Sequence, residues 1–154
     1  MNNLLENFRT TLVRQTMFAE FELMIHDLEA NGEVLTDELL CNTYLELNKK
    51  YFTDEAISDD LIKFEWARIP HFYTSFYVYK YATGISVASR IVSDILSGKE
   101  GALDNYMKFL ASGGSDYPLE ILKKVDIDIE NDDTIDKALD MFRETLKEFK
   151  EITK

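Results

Sequence analysis

Between Asn3 and Ala30 no proline or glycine interrupts the chain. Leu4, Phe8 and Leu12 fall at four-residue steps, and Met17, Phe18, Phe21, Met24, Ile25 and Leu28 continue at steps of three and four. That spacing lines one side of a helix with apolar side chains, so the stretch is predicted as one long amphipathic helix. Asn31-Gly32 supplies its stop. Arg14 and Gln15 lie inside it, where a solvated or ion-paired face accounts for them.

The same helical spacing recurs to the end. Thr36 is placed to cap a second helix, and Asp37 and Glu38 suit its positive end. Leu39, Leu40, Thr43, Tyr44 and Leu47 give the buried side of that helix, which fades near Phe52. The polar stretch 53–60 reads as a loop with a new start signal at Ser58-Asp59. A short helix through Leu61, Ile62, Phe64, Glu65 and Trp66 ends at Pro70. An aromatic segment follows and passes into a helix that stops at Ser97-Gly98. Within it, the stretch Gly84 to Ser89 is rich in small residues, which allow close helix approach. Leu103, Tyr106, Met107 and Leu110 mark another helix, ended by Gly113-Gly114. Pro118 starts a short one over Leu119 to Lys124. Val125 to Ile129 alternates like a strand, but no partner strand is evident, so it is expected as extended loop. Ile135, Leu139, Phe142, Leu146 and Phe149 carry the last helix, with a polar tail. Six or seven helices result. The expected fold is all-α, a multi-helix bundle forming one domain over residues 1–154, a length that can bury a real core.

The net charge of −12 argues against a nucleic-acid surface, which needs basic clusters to neutralise phosphates. An anionic membrane is disfavoured for the same reason. No apolar run approaches the ~18 residues that span a bilayer, and Met1 to Glu6 does not read as a signal peptide. Cys41 is the lone cysteine. A reducing, cytoplasmic compartment is therefore the simpler expectation.

Metal-binding spacing is absent. There is no His-Glu-x-x-His and no Cys-x-x-Cys, and the two histidines, His26 and His71, are far apart in sequence. Zinc needs three or four placed ligands, so no metal is expected to be bound by this chain alone. Cys41 falls on an apolar helix side, where cysteine is ordinarily packing. No phosphate loop appears, and the acidic stretch 126–133 lacks the glycine and the spacing of a calcium loop. What remains is the run Trp66 to Gly84. It holds His71 and four of the eight tyrosines, Tyr73, Tyr77, Tyr79 and Tyr81. Its aromatics suit a strand by propensity, but Pro70 points to a break and then a helical turn. His71 would stand at the mouth of the following helix. On a helix Tyr77 and Tyr81, four apart, share a face, whereas Tyr79 points elsewhere. Imidazole and phenols are good donors to a carbonyl or a developing oxyanion. Aromatic runs are also ordinary core material, and both readings stand on the residues alone.

Four blocks carry a resemblance to a known family: Arg14 to Glu22 (RQTMFAEFE), Trp66 to Tyr73 (WARIPHFY), Phe76 to Gly84 (FYVYKYATG) and Ser112 to Leu119 (SGGSDYPL). In order and together they resemble oligoendopeptidase F, of the thimet-oligopeptidase-like zinc metallopeptidases, over nearly the whole chain. The resemblance implies an all-helical enzyme with a deep channel for short peptides. It implies zinc held by the histidines of His-Glu-x-x-His and a downstream glutamate, with the motif glutamate as general base. It further implies a His and Tyr constellation that binds substrate and stabilises the oxyanion. His71 matches the family histidine. Tyr77 and Tyr81 match its tyrosines best, with Tyr73 and Tyr79 behind them as substrate-binding residues. The zinc ligands and base lie upstream of the first block in the family, so the chain resembles the C-terminal portion alone.

Two functional expectations follow. In the first, the chain supplies a substrate-channel wall and the His/Tyr donors of a zinc metalloendopeptidase, and is inactive without the missing N-terminal part. In the second, it is a non-catalytic helical interaction module derived from a truncated peptidase, whose apolar faces drive self-association or partner binding.

Overall fold

The computed structural model describes residues 1–131 and 133–153. They are all-helical, with no strand among the described residues. Seven α-helices occur among them: α1 (Asn2–Asn7), α2 (Arg14–Ala30), α3 (Asp37–Phe52), α4 (Tyr79–Leu96), α5 (Ala102–Ser112), α6 (Pro118–Lys123) and α7 (Asp133–Ile152). Two 3₁₀ helices, Ile62–Arg68 and Pro70–Tyr73, lie between α3 and α4. Asp132, within the acidic stretch 126–133, and Lys154 of the polar tail lie outside the described residues. None of the described helices is long and apolar enough to cross a membrane.

The long N-terminal helix differs from expectation in one respect. Residues Phe8–Val13 form π-helical turns between α1 and α2. The apolar step from Leu12 to Met17, both buried, is five residues. An α-turn does not match that step, and a wider turn absorbs it.

The chain divides into two compact units, one of Met1–Phe8 with Thr83–Lys154 and one of Arg9–Ala82. In the Arg9–Ala82 unit, α2 packs on α3, and α3 packs on the first 3₁₀ helix. Met17, Phe18, Phe21, Tyr44, Leu47, Ile69 and Val78 form its core. Thr36 caps α3 by accepting from Leu39 N–H at 3.2 Å, as its position suggests. Asp59 Oδ1 accepts from the N–H groups of Leu61 and Ile62 at 2.8 and 3.0 Å, realising the start signal before the 3₁₀ helix.

In the other unit, α1 packs on α7 and α5 on α6. Phe8 meets Phe142 edge to face at 5.8 Å. Leu122, Val125 and Ile127 form a second core, joined by Val87, Ile91 and Phe109. The alternating Val125 to Ile129, expected as extended loop, begins with a helix ending. Ile127 N–H bonds Leu122 C=O at 3.0 Å and Asp126 N–H bonds Lys123 C=O at 3.3 Å, while Asp126 adopts φ 62°. This is a Schellman ending with an aspartate in the left-handed position. Gly84 faces open space, so the small residues of α4 serve burial at Ser86 and Ser89 instead.

Asp94 is the polar centre of this unit. Its carboxylate accepts from Arg90 Nε at 2.9 Å, Lys99 Nζ at 2.9 Å and Lys137 Nζ at 3.0 Å. Arg90 also pairs with Asp133. Burial on its own pushes the Asp94 carboxyl up, but the three cations outweigh it and hold the group well below its ordinary value of 3.8. A depressed acid stabilises the fold above its unfolded pKa, and that contribution is lost as pH falls through the folded value. Asp94→Asn is therefore expected to cost about 2–4 kcal/mol at neutral pH, because Lys99 and Lys137 lose their counter-charge and Arg90 keeps only Asp133. Urea unfolding should show the gap to the wild type narrowing as pH drops from about 5 toward 2. A gap independent of pH would contradict this assignment.

Candidate functional site

The aromatic segment is anchored by a buried acid just before it. Glu65, on the first 3₁₀ helix, accepts from Arg14 Nη2 at 2.6 Å and from Tyr44 Oη at 2.6 Å, and pairs with Arg68. Its side chain is 9% exposed. Burial pushes its carboxyl up, but the Tyr44 hydrogen bond and the two guanidiniums together hold it below the usual range. Tyr44, fully buried, is driven far up by that burial and by the Glu65 charge. Arg14 thus lies on an ion-paired face, and its guanidinium also covers the Phe18 ring at 4.6 Å.

Pro70 opens the second 3₁₀ helix, which carries His71. The regular helix begins later, at Tyr79, so His71 stands on a separate turn ahead of α4. The core explains the delay. Phe72 packs against Phe18 and Phe21 at 5.7 and 5.4 Å, and Val78 is fully buried. Six residues apart on one α-helix, the two would project about 120° apart. An irregular segment sends both inward.

Tyr77 consequently precedes α4, and its meeting with Tyr81 is not a shared helix face. Phe76 takes φ 55°, and the chain turns so that Tyr77 returns over His71. The Tyr77 and His71 rings stack at 5.5 Å and 24°. Tyr81 stands perpendicular to His71 at 5.5 Å and lies 5.9 Å from Tyr77. Tyr81 Oη and His71 Nε2 are hydrogen-bonded at 3.0 Å. A hydrogen bond with Tyr77, then burial, then the neighbouring phenol's charge raise the Tyr81 pKa above its ordinary value. Lys80 Nζ sits 4.2 Å from the Tyr77 ring centre. Tyr73 is 86% exposed, outside this triad, and Tyr79 opens α4 half exposed.

Two α2 side chains support the turn, and motif reasoning did not single them out. Glu22 Oε1 accepts from Phe76 N–H at 2.6 Å. His26 donates through Nδ1 to the Glu22 carbonyl at 2.8 Å and packs its ring 4.6 Å from that of Phe76. One signal was available, since Glu22 lies one turn after Phe18 on the apolar side of its helix, where an acid is out of place.

Among the described residues no three His, Cys, Asp or Glu stand together as a metal site. His71 bonds Tyr81 through Nε2, and His26 bonds a carbonyl through Nδ1. These side chains do not fit a zinc site by themselves. Their available chemistry is hydrogen-bond donation and orientation.

Residues 1–141 match peptidase family M3. The chain belongs to that family. It is 50% identical to oligopeptidase PepF of Bacillus subtilis strain 168 over 99% of its own length and 23% of that protein's. It is 43% identical to the chromosomal oligoendopeptidase F of Lactococcus lactis subsp. cremoris, over 99% of this chain and 25% of that one. The crystal structure of oligoendopeptidase-F from Enterococcus faecium superposes with a TM-score of 0.95 at 43% identity, covering 99% of this chain and 29% of that one. This M3 chain therefore spans about a quarter of the curated relatives it matches.

If Glu65 is the hub that holds the His71 segment, its removal should exceed the loss of any one partner. Glu65→Ala leaves the part-buried Arg14 guanidinium and a buried phenol unpaired, while the exposed Arg68 returns to solvent, and is expected to cost about 3–5 kcal/mol. Tyr44→Phe removes one hydrogen bond to a charged group, about 1.5–3 kcal/mol. Equal shifts in denaturant midpoint for the two variants would rule out the hub.

Proposed function

We propose that this chain is the C-terminal segment of an oligoendopeptidase F-like zinc metalloendopeptidase that hydrolyses short peptides in the cytoplasm. Both units belong to its catalytic domain. The reading rests on one observation, the joining of His71, Tyr77 and Tyr81 into a single hydrogen-bonded and stacked group in a chain of family M3. With the proton on Nε2, His71 donates to Tyr81, Tyr81 to Tyr77, and Tyr77 retains a proton to give to a substrate oxygen. Donors fixed before reaction stabilise a tetrahedral oxyanion without reorganising. A phenol is protonated at neutral pH, and the hydrogen bond with Tyr77 shifts Tyr81 further in that direction. Tyr73 and Tyr79 line the channel wall and contact the peptide. Zinc, when bound by the complete enzyme, polarises the scissile carbonyl and activates water. Its ligands come from outside this chain.

A second reading has its own support. On α5, Leu103, Met107 and Leu110 are each more than half exposed and share one helical face. That face suits a non-catalytic module that self-associates or binds the N-terminal part of such an enzyme.

The 154-residue chain alone is expected to cleave no quenched fluorescent peptide. Adding the upstream portion of a PepF-type relative in trans should restore cleavage that a zinc chelator abolishes. In that complex, His71→Ala and Tyr81→Phe should each lower kcat/KM about 10²- to 10³-fold. Chelator-sensitive cleavage by the isolated chain, or full activity of the His71 variant, would refute the proposed role.

A further inference from the structure

We infer that Glu22 is a positioning residue for Tyr77, acting through the backbone N–H of Phe76; this rests on the proposed role of the His71–Tyr77–Tyr81 group. Glu22 is 2% exposed, and burying a carboxylate is unfavourable unless a donor meets it. The donor here is the amide of a loop residue 54 positions later, at 2.6 Å. That residue, Phe76, is a bulky aromatic at φ 55°, a conformation that L side chains avoid. Such backbone persists only where the surroundings fix it, and it gathers where geometry serves function.

Three contacts fix this one. The Glu22 carboxylate holds the Phe76 amide, the His26 ring packs on the Phe76 ring, and His26 is held by the Glu22 carbonyl. Both α2 residues thus act on one residue, Glu22 on the Phe76 amide and His26 on its ring. The next residue is Tyr77, whose ring the turn lays over His71, while Val78 is sealed in the core. Tyr77 thus lies between the held Phe76 amide and the buried Val78. Glu22 therefore supports a donor group that it does not touch, as a functional group needs when it stands on a loop.

The test uses the 154-residue chain and needs no hydrolysis. In the wild type, Phe76 N–H should exchange with solvent at least about 100-fold more slowly than in an unstructured peptide. Exchange at the unprotected rate overturns the inference. In Glu22→Ala, NMR should show the ring-current displacement of the His71 protons by Tyr77 collapsing, and the raised Tyr81 titration returning toward the ordinary tyrosine value. Glu22→Gln still offers an oxygen to Phe76 N–H and should retain both signatures. Their retention in the alanine variant, or their loss in a folded glutamine variant, overturns the inference. Should the alanine variant fail to fold, amide exchange and the glutamine variant still decide. Because no readout is catalytic, failure here leaves the trans-complementation result standing, and the reverse also holds.

Discussion

The Glu65 carboxylate is the interaction on which the Arg9–Ala82 unit depends. One acid joins Arg14 of α2, Tyr44 of α3 and Arg68 at the end of its own 3₁₀ helix. A 3₁₀ helix of this length has weak internal hydrogen bonding, so it needs an external hold. The segment it holds leads through Ile69, which is buried, to Pro70 and His71. Aromatic packing of Phe72 on Phe18 and Phe21 then continues what the ion pairs begin. The polar hub sets where the segment starts, and the apolar core sets which way each ring turns.

Acidic hubs recur with the same logic. Asp94 gathers Arg90, Lys99 and Lys137 from α4, the turn after it and α7. Acidic residues outnumber basic ones, 29 to 17, so cations are the scarce partner, and the buried acids collect them. At the surface such pairs contribute little. Around a carboxylate only a tenth exposed they decide stability, because removing one side leaves charge without compensation. Glu22 is the exception. It is a buried acid whose identified donor is a strained loop amide instead of a cation.

The elements were legible where side-chain period and end signals agree. The α2 and α3 stripes, the Thr36 cap and the stops at Gly32 and Gly98 could all be read, since helical spacing and left-handed glycines are local facts. At both glycines the structure closes a Schellman pattern, with Glu33 N–H on Leu28 C=O and Lys99 N–H on Asp94 C=O. Asp126 does the same work, but an aspartate among alternating valine and isoleucine reads as extended loop, so that ending was not legible. The π-turns left only a faint sign, the five-residue step before Met17. His71, Tyr77 and Tyr81 are named by the family resemblance, since residue types alone leave four tyrosines in play and the helical spacing of Tyr77 and Tyr81 does not apply where α4 begins at Tyr79. Their arrangement was not legible, because the irregular segment 74–78 follows from where Phe72 and Val78 must go, and that is a tertiary fact.

This division bears on how the proposed chemistry is shared. Donors to an oxyanion act through geometry fixed beforehand and through exclusion of water. The geometry of His71, Tyr77 and Tyr81 is set within residues 9–82 by the core, the Glu65 hub and the Glu22 strut. Exclusion of water is not set there, since Tyr73, Phe76 and Tyr79 are substantially exposed. A donor group on so open a surface has its hydrogen bonds weakened by solvent. Under the proposed function, the part that brings the electrophile also lowers the dielectric around these phenols. The two contributions multiply, because fixed donors gain most of their strength only once water is removed.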